Sequence, residues 1–246
     1  MSEQFIRTEM LVGSQALQRL RGAKVAVFGV GGVGGFCTEA LARAGVGTLR
    51  LYDDDTVSVS NLNRQIAALR STVGQPKAEV LARRVRDIDP DCNVQAVRMF
   101  YLPENADQVD LSQYDYVADC IDTVAAKLEL VQRCTALGVP IISAMGTGNK
   151  LDPTLLRVSD ISKTENCPLA RVMRKELRRR GIRHLRVVWS PEEPRTPLTP
   201  ARPEAPADSI RPGSSVRRAT PGSISFVPGA AGLIMAGAIL RELGEF

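Results

Sequence analysis

The sequence predicts an α/β protein: a doubly wound, Rossmann-like, mostly parallel sheet with a small C-terminal α+β extension. Three observations carry that reading. Ala23 to Gly29 is an apolar run closed by glycine, the signature of a strand buried on both faces. A glycine-rich turn follows it directly. From there to Ala144, strand-like runs alternate with segments of helical period. The 246 residues, 44% hydrophobic and 24% charged, have a globular balance that excludes a disordered tail, a collagen or a coiled coil.

Taken in order, Val33 to Ala44 carries apolar residues at helical spacing, and Thr48 to Tyr52 is a second strand. Pro76 to Ile88 is a second helix, with proline at its start where a missing N–H costs nothing. Val94 to Arg98, Tyr116 to Cys120 and Pro140 to Ala144 are further strands, and the helix Val124 to Leu137 lies between the last two. Residues 1–153 are predicted as a nucleotide-binding domain. Residues 154–246 are predicted as a C-terminal extension packed as part of the same unit. It holds a basic helix (Pro168 to Arg180), a strand (Leu185 to Trp189) and a closing helix (Gly229 to Leu243). Between them, Ser190 to Gly222 collects eight prolines and no apolar period, which predicts a mobile surface loop.

Composition narrows the function classes. An aromatic share of 4% disfavours recognition by aromatic stacking, and a net charge of +5 favours anionic partners. The five cysteines form no C-x-x-C pair, so no zinc is expected. Their odd number, with no apolar leader, points to a reducing cytoplasm. Phe226 to Leu240 is apolar but short and glycine-rich, so it reads as a buried helix with no stable membrane insertion.

The chemistry begins at Gly29-Val-Gly31-Gly32-Val-Gly34, between a predicted strand and a predicted helix. Glycines let the backbone approach a phosphate, and a helix N-terminus offers N–H donors and a positive dipole. Asp53 lies 19 residues after Gly34, at the end of the next strand, where a ribose-binding carboxylate belongs. The polar run Asp53 to Gln65 contains Asn61 and Arg64, and Lys77 follows. Asp119-Cys-Ile-Asp122 ends another strand. Two cations, a carboxylate and a glycine loop suit a triphosphate with Mg²⁺ and would be idle on a nicotinamide.

These motifs resemble the ubiquitin-activating-enzyme superfamily of ATP-dependent adenylating proteins. Four further stretches resemble its tRNA threonylcarbamoyladenosine dehydratase branch: Phe5 to Gly13, Val73 to Lys77, Ser143 to Thr154 and Asp160 to Thr164. The resemblance covers Phe5 to about Trp189 and resumes at Phe226. It implies ATP and Mg²⁺ as cofactors. Gly29, Gly31, Gly32 and Gly34 would cradle the nucleotide and Asp53 the ribose. Asn61, Arg64 and Lys77 would contact the phosphates, Gln65 would join the nucleotide site, and Asp122 would place Mg²⁺. Arg7 resembles the arginine that reaches the opposite subunit's ATP, which implies a homodimer with Arg7, Arg64, Lys77 and Asp122 as its catalytic groups. The implied reaction is adenylation of the threonyl carboxylate of a modified tRNA adenosine, followed by ring closure with net loss of water. A cysteine desulfurase system is a candidate sulfur-transfer partner. An adenylyltransferase acting on the C-terminus of a ubiquitin-like sulfur carrier is the alternative.

Cys167 stands near where ubiquitin activators place their thioester cysteine, and reads as an incidental residue before a helix. The basic helix adds a second clue. Arg171, Arg174, Lys175 and Arg178 share one helix face, and Arg179, Arg180, Arg183 and Arg186 extend it against Glu176 alone. Charge this concentrated is the footprint of phosphate-backbone binding, which with the resemblance implies tRNA.

Overall fold

A computed structural model of the chain describes residues 3–198 and 221–246. Seven strands make one sheet: β1 (Lys24–Phe28), β2 (Thr48–Tyr52), β3 (Asn93–Val97), β4 (Tyr116–Asp119), β5 (Ile141–Ala144), β6 (Arg157–Asp160) and β7 (Arg186–Trp189). Their order is β3-β2-β1-β4-β5-β7-β6, parallel throughout except for the antiparallel β6–β7 pair. Strands from both sides of residue 153 therefore share one sheet. The order reverses between β1 and β4, and ligands of open parallel sheets bind at the carboxyl ends of strands at such a reversal.

The helices are α1 (Ile6–Gly22), α2 (Gly34–Arg43), α3 (Lys77–Ile88), α4 (Val124–Leu137), α5 (Pro168–Arg179) and α6 (Phe226–Gly244). Strand side chains alternate between two covered faces. Val25, Val27, Leu49 and Leu51 join residues of α2, α3 and α6, whereas Ala26, Phe28 and Tyr52 join α4. A third cluster seats Met173 and Leu177 of α5 beside Val187 and Trp189 of β7. With both faces buried, the central strands become apolar at nearly every position, which is why they are legible in the sequence.

α6 is long and apolar enough to cross a membrane, and half of its apolar window is buried in the protein. Its glycines explain how it docks. A Cβ on Gly232 would lie 2.3 Å from the Val33 carbonyl oxygen, so the α2 and α6 backbones touch there.

Two elements lie outside the sequence reading. β6 is a short, half-exposed edge strand with no apolar run. α1 breaks at Gly13 (φ 81°, ψ 163°). Its second half buries Ala16, Leu17 and Leu20, while its first half exposes Ile6, Met10 and Leu11.

Residues 199–220 of the proline-rich segment lie outside the described residues. Its flanks are pinned, which corrects the mobile reading for 190–195 and 221–222. The Glu192 carboxylate accepts from Leu151 N (2.8 Å) and Asp152 N (3.0 Å). Arg195 N donates to Asn149 O at 2.8 Å, and Gly222 N donates to Asn149 Oδ1 at 2.7 Å. Proline removes the apolar period that sequence reasoning looks for, but not the polar side chains that fasten a loop.

Candidate active site at the carboxyl edge of the sheet

β1 ends at Phe28, and Gly29 turns the chain with φ 80°. A Cβ there would also meet the Cys120 carbonyl oxygen, past the end of β4, at 2.9 Å. A Cβ on Gly34 would fall 1.8 Å from the Gly29 carbonyl oxygen. These two glycines let the first turn of α2 fold onto the loop, with its unpaired N–H groups at the carboxyl edge. Gly31 and Gly32 face the rim of the cradle. Their Cβ positions look onto Gln65 Nε2 at 3.5 Å and onto Pro228 and Arg64 carbons at 3.2 and 3.8 Å.

Asp53, half-buried at the end of β2, stitches that strand to the loop. One oxygen accepts from Val30 N at 2.7 Å and the other from Asp55 N at 2.9 Å. Burial pushes its carboxyl above the usual range, against the pull of Lys77 and those two N–H groups. Each oxygen keeps a lone pair for a hydroxyl donor. Lys77 opens α3, is buried, and pairs with Asp55 at 2.9 Å. Asn61 is buried, and its Oδ1 accepts from Ser58 N at 3.1 Å, holding its own turn. Arg64 donates to Ser60 O and Asn63 Oδ1, both at 2.9 Å, and burial lowers its pKa from the ordinary guanidinium value. Gln65 is buried beside Gly31, and its Oε1 has no hydrogen-bond partner among the described residues. A glycine cradle and an orphaned buried acceptor on its rim fit a polar ligand seated on the loop.

Asp122 follows β4 and is exposed, with Thr123 Oγ1 at 3.4 Å from its carboxylate. The residue that sequence reasoning left without a role is Asp119, three positions earlier. It is wholly buried and accepts from Lys127 Nζ (2.9 Å), Ser143 Oγ (2.5 Å) and Ile121 N (3.2 Å). Lys127 is equally buried. Together they tie β4, β5 and α4 beneath the loop that carries Asp122. The signal available was a lysine on the inward face of α4, where an apolar residue would normally sit.

Arg7 is exposed and stands apart from the groups above. Phe5 packs against the turn at Gly45, beyond the C-terminal end of α2. Gly45 lies past one end of α2 and the glycine loop at the other, so the Phe5 anchor holds the start of α1 at the end of α2 away from the loop.

The basic helix is only partly free. Arg171, Lys175 and Arg178 are exposed. Arg174 is committed to the Thr164 carbonyl (2.8 Å), the Thr164 hydroxyl (2.5 Å) and the Ile161 carbonyl (3.3 Å). That removes Arg174 from the phosphate-binding face expected from helical spacing, because its guanidinium caps the preceding turn. Arg179 and Arg180 pair with Glu176. Cys167 is 3% exposed, with its sulfur 3.7 Å from where a Gly146 Cβ would be, so it packs and presents no nucleophile. Burial pushes the Cys37 and Cys134 thiols up to about 12, which leaves them inert as well.

An open parallel sheet with a glycine loop, a strand-end carboxylate and buried cations at its reversal point defines a nucleotide-binding α/β protein. The chain belongs to the ThiF family, whose model matches residues 5–246. It is 44% identical over 246 residues to the tRNA threonylcarbamoyladenosine dehydratase of Bacillus subtilis, covering 99% of this chain and 95% of that one. It also resembles the crystal structure of Escherichia coli tRNA N6-threonylcarbamoyladenosine dehydratase, TcdA, in complex with ATP. The TM-score is 0.84 at 35% identity, over 98% of this chain and 93% of that one. The complex of the same enzyme with AMP gives a TM-score of 0.86 at 34% identity, over 98% and 94%. Family and fold class are those the sequence motifs imply.

Proposed function

We propose that this chain is an ATP-dependent tRNA threonylcarbamoyladenosine dehydratase acting in the cytoplasm. The observation that carries the reading is the cradle itself: Gly29 and Gly34 forced by backbone approach, with Asp53, Arg64, Gln65 and Lys77 around it. Likeness to the Bacillus subtilis dehydratase along nearly the whole chain supports the substrate.

The chemistry follows from the groups present. A carboxylate is a poor electrophile because oxide would have to leave. One oxygen of the threonyl carboxylate attacks the α-phosphorus of ATP, and pyrophosphate departs. Arg64, Lys77, the Asn61 amide and the α2 N-terminus hold the phosphates and offset the charge that develops. Asp53 accepts from the ribose hydroxyls. Asp122 would hold Mg²⁺, which would neutralise phosphate charge. A nitrogen or oxygen of the neighbouring carbamoyl group then attacks the acyl carbon and AMP leaves with the former carboxylate oxygen, so the nucleoside loses one water. Closure is intramolecular, and its high effective molarity removes the need for an enzyme nucleophile. That agrees with the buried Cys167, and the sequence of steps calls for no sulfur.

The assembly is a homodimer in which Arg7 reaches the partner's ATP. The distance of Arg7 from its own loop and the exposed Ile6, Met10 and Leu11 around it support this. Mixing Arg7→Ala with Lys77→Ala chains should recover about a quarter of the sites, since half the dimers then hold one intact composite site. Heterodimers that recover nothing would place Arg7 outside the site. The reaction is tested by incubating the protein, ATP and Mg²⁺ with tRNA bearing the linear modification and weighing the nucleosides. A product one water lighter, formed only with ATP, is expected. Pyrophosphate exchange driven by a carrier protein ending in Gly-Gly, with no change in the tRNA, would favour the sulfur-carrier reading.

A further inference from the structure

α5 runs between the two edges of the sheet. It begins at the carboxyl edge, where Cys167 faces Gly146 just past β5, and ends where the chain turns into the first residue of β7. Its twelve residues span about 18 Å. Arg171, Lys175 and Arg178 are exposed along it at i, i+4 and i+7.

At the amino edge, two adjoining cavities of about 610 and 530 Å³ share His184. Arg186 and Arg241 line the first, Arg178 and Arg183 the second. The acidic groups here are already engaged. Asp160 accepts from Leu185 N at 3.2 Å and Ser162 N at 2.9 Å and sits 3.3 Å from His184, and Glu242 pairs with Arg186. Among the described residues, Arg178, Arg183 and Arg241 have no carboxylate within ion-pair distance. Four arginines face two carboxylates here, so the groove carries a net positive charge at the opposite end of the strands from the nucleotide cradle.

We propose that the groove is a distal phosphodiester-binding site of the enzyme. It takes the backbone of the same RNA whose modified nucleoside lies at the carboxyl edge, with α5 setting the direction of the RNA across the protein. This rests on tRNA being the substrate. A small anion would need one focused cavity. Here the cations form a line that enters a wide, open groove, which suits a linear polyanion. The 18 Å of α5 is about the length of six base pairs of an A-form RNA helix, the reach of a short stem below a loop.

The test uses the full chain and two RNAs carrying the linear modified adenosine: a seven-nucleotide single strand with the loop sequence, and a hairpin with the same loop on a five-base-pair stem. Wild type should bind the hairpin about tenfold more tightly, with a steeper salt dependence. Arg183→Ala with Arg241→Ala, both exposed, should bring hairpin affinity close to that of the single strand. The same double variant should flatten the hairpin's salt slope by about 0.9 per lost contact. It should leave binding and ATP-dependent dehydration of the single strand unchanged. Equal loss on both RNAs would place these arginines beside the nucleoside and overturn the proposal, as would an unaltered hairpin affinity. The substrate reading fails separately. If wild type removes water from neither RNA while the hairpin's advantage still depends on Arg183 and Arg241, the groove stands and the dehydratase assignment falls.

Discussion

Lys77 and Lys127 each pair with an aspartate at 2.9 Å along the carboxyl edge of the sheet, yet their surroundings differ. The Lys127 and Asp119 side chains are both 0% exposed, whereas Asp55, the partner of Lys77, is 42% exposed. Beneath the loop, Asp119 of the sealed pair has, among the described residues, only Ser143 and Ile121 N as further partners, so its charges serve the frame. On the rim, water can solvate Asp55, so Lys77 can exchange part of its ion pair for a phosphate at little expense. The same two residue types thus make a structural joint where they are closed off and a ligand-binding group where one side is open.

The strongest way to break this contrast is to remove one sealed partner. Lys127→Ala should destabilise the protein by about 3–5 kcal/mol in urea unfolding, because it strands a buried carboxylate. Lys127→Met with Asp119→Leu should be less destabilised than Lys127→Ala alone. A single variant within 1 kcal/mol of wild type would mean that water reaches the joint.

Lys77→Ala should do the reverse. Its stability should fall less than that of Lys127→Ala, by about 1–2 kcal/mol, because Asp55 stays solvated. Its ATP-dependent turnover should drop by roughly 10²–10³-fold with the loss of charge on the phosphates. Parallel unfolding and turnover assays check the split, and a large stability loss would make Lys77 a second joint.

The basic helix sharpens the same distinction between a committed and an open cation. Arg174→Ala should cost about 1–2 kcal/mol through its backbone acceptors and leave the salt slope of tRNA binding alone. Arg178→Ala should leave stability alone and reduce that slope by up to about 0.9. An interchange of the two outcomes would mean that helical spacing describes the face better than the hydrogen bonds do.

The smallest effect concerns Glu39, which clamps α2 to α3. Burial works to raise its carboxyl, but hydrogen bonds from Arg84 and Arg43 outweigh it and leave it below the ordinary value of 4.5. A depressed carboxyl contributes stability above the unfolded value and loses it as pH falls through the folded one. Wild type should therefore lose up to about 1 kcal/mol more than Glu39→Gln as pH drops below 4.5. Acid titration of the melting temperature of both proteins shows whether the difference vanishes.

Much of the first half of the molecule was legible because its signals are local. Thr48 to Tyr52 and Val124 to Leu137 are read from sequence with the bounds they have in the structure. Buried parallel strands force apolar runs, and a helix start after a strand needs glycine where Gly29 and Gly34 stand. Elements without such local signals were less so. β6 has no apolar run because it lies at an edge, and α1 hides its period behind the break at Gly13. Glu192 lies in a proline-rich stretch with no period at all, yet it fastens that stretch to residues 151 and 152.

What the sequence by itself determined is the alternating architecture, the glycine cradle with Asp53 beside it, and the family. Each depends on residues close together in the chain whose backbone requirements are specific. What only the tertiary structure decided is which charges are at liberty. Arg174 and Arg178 are equivalent on a helical wheel, as are two lysines next to two aspartates on paper. Burial and partners from distant segments separate them, because an ion's availability depends on the dielectric and the hydrogen bonds around it, and those are properties of the fold.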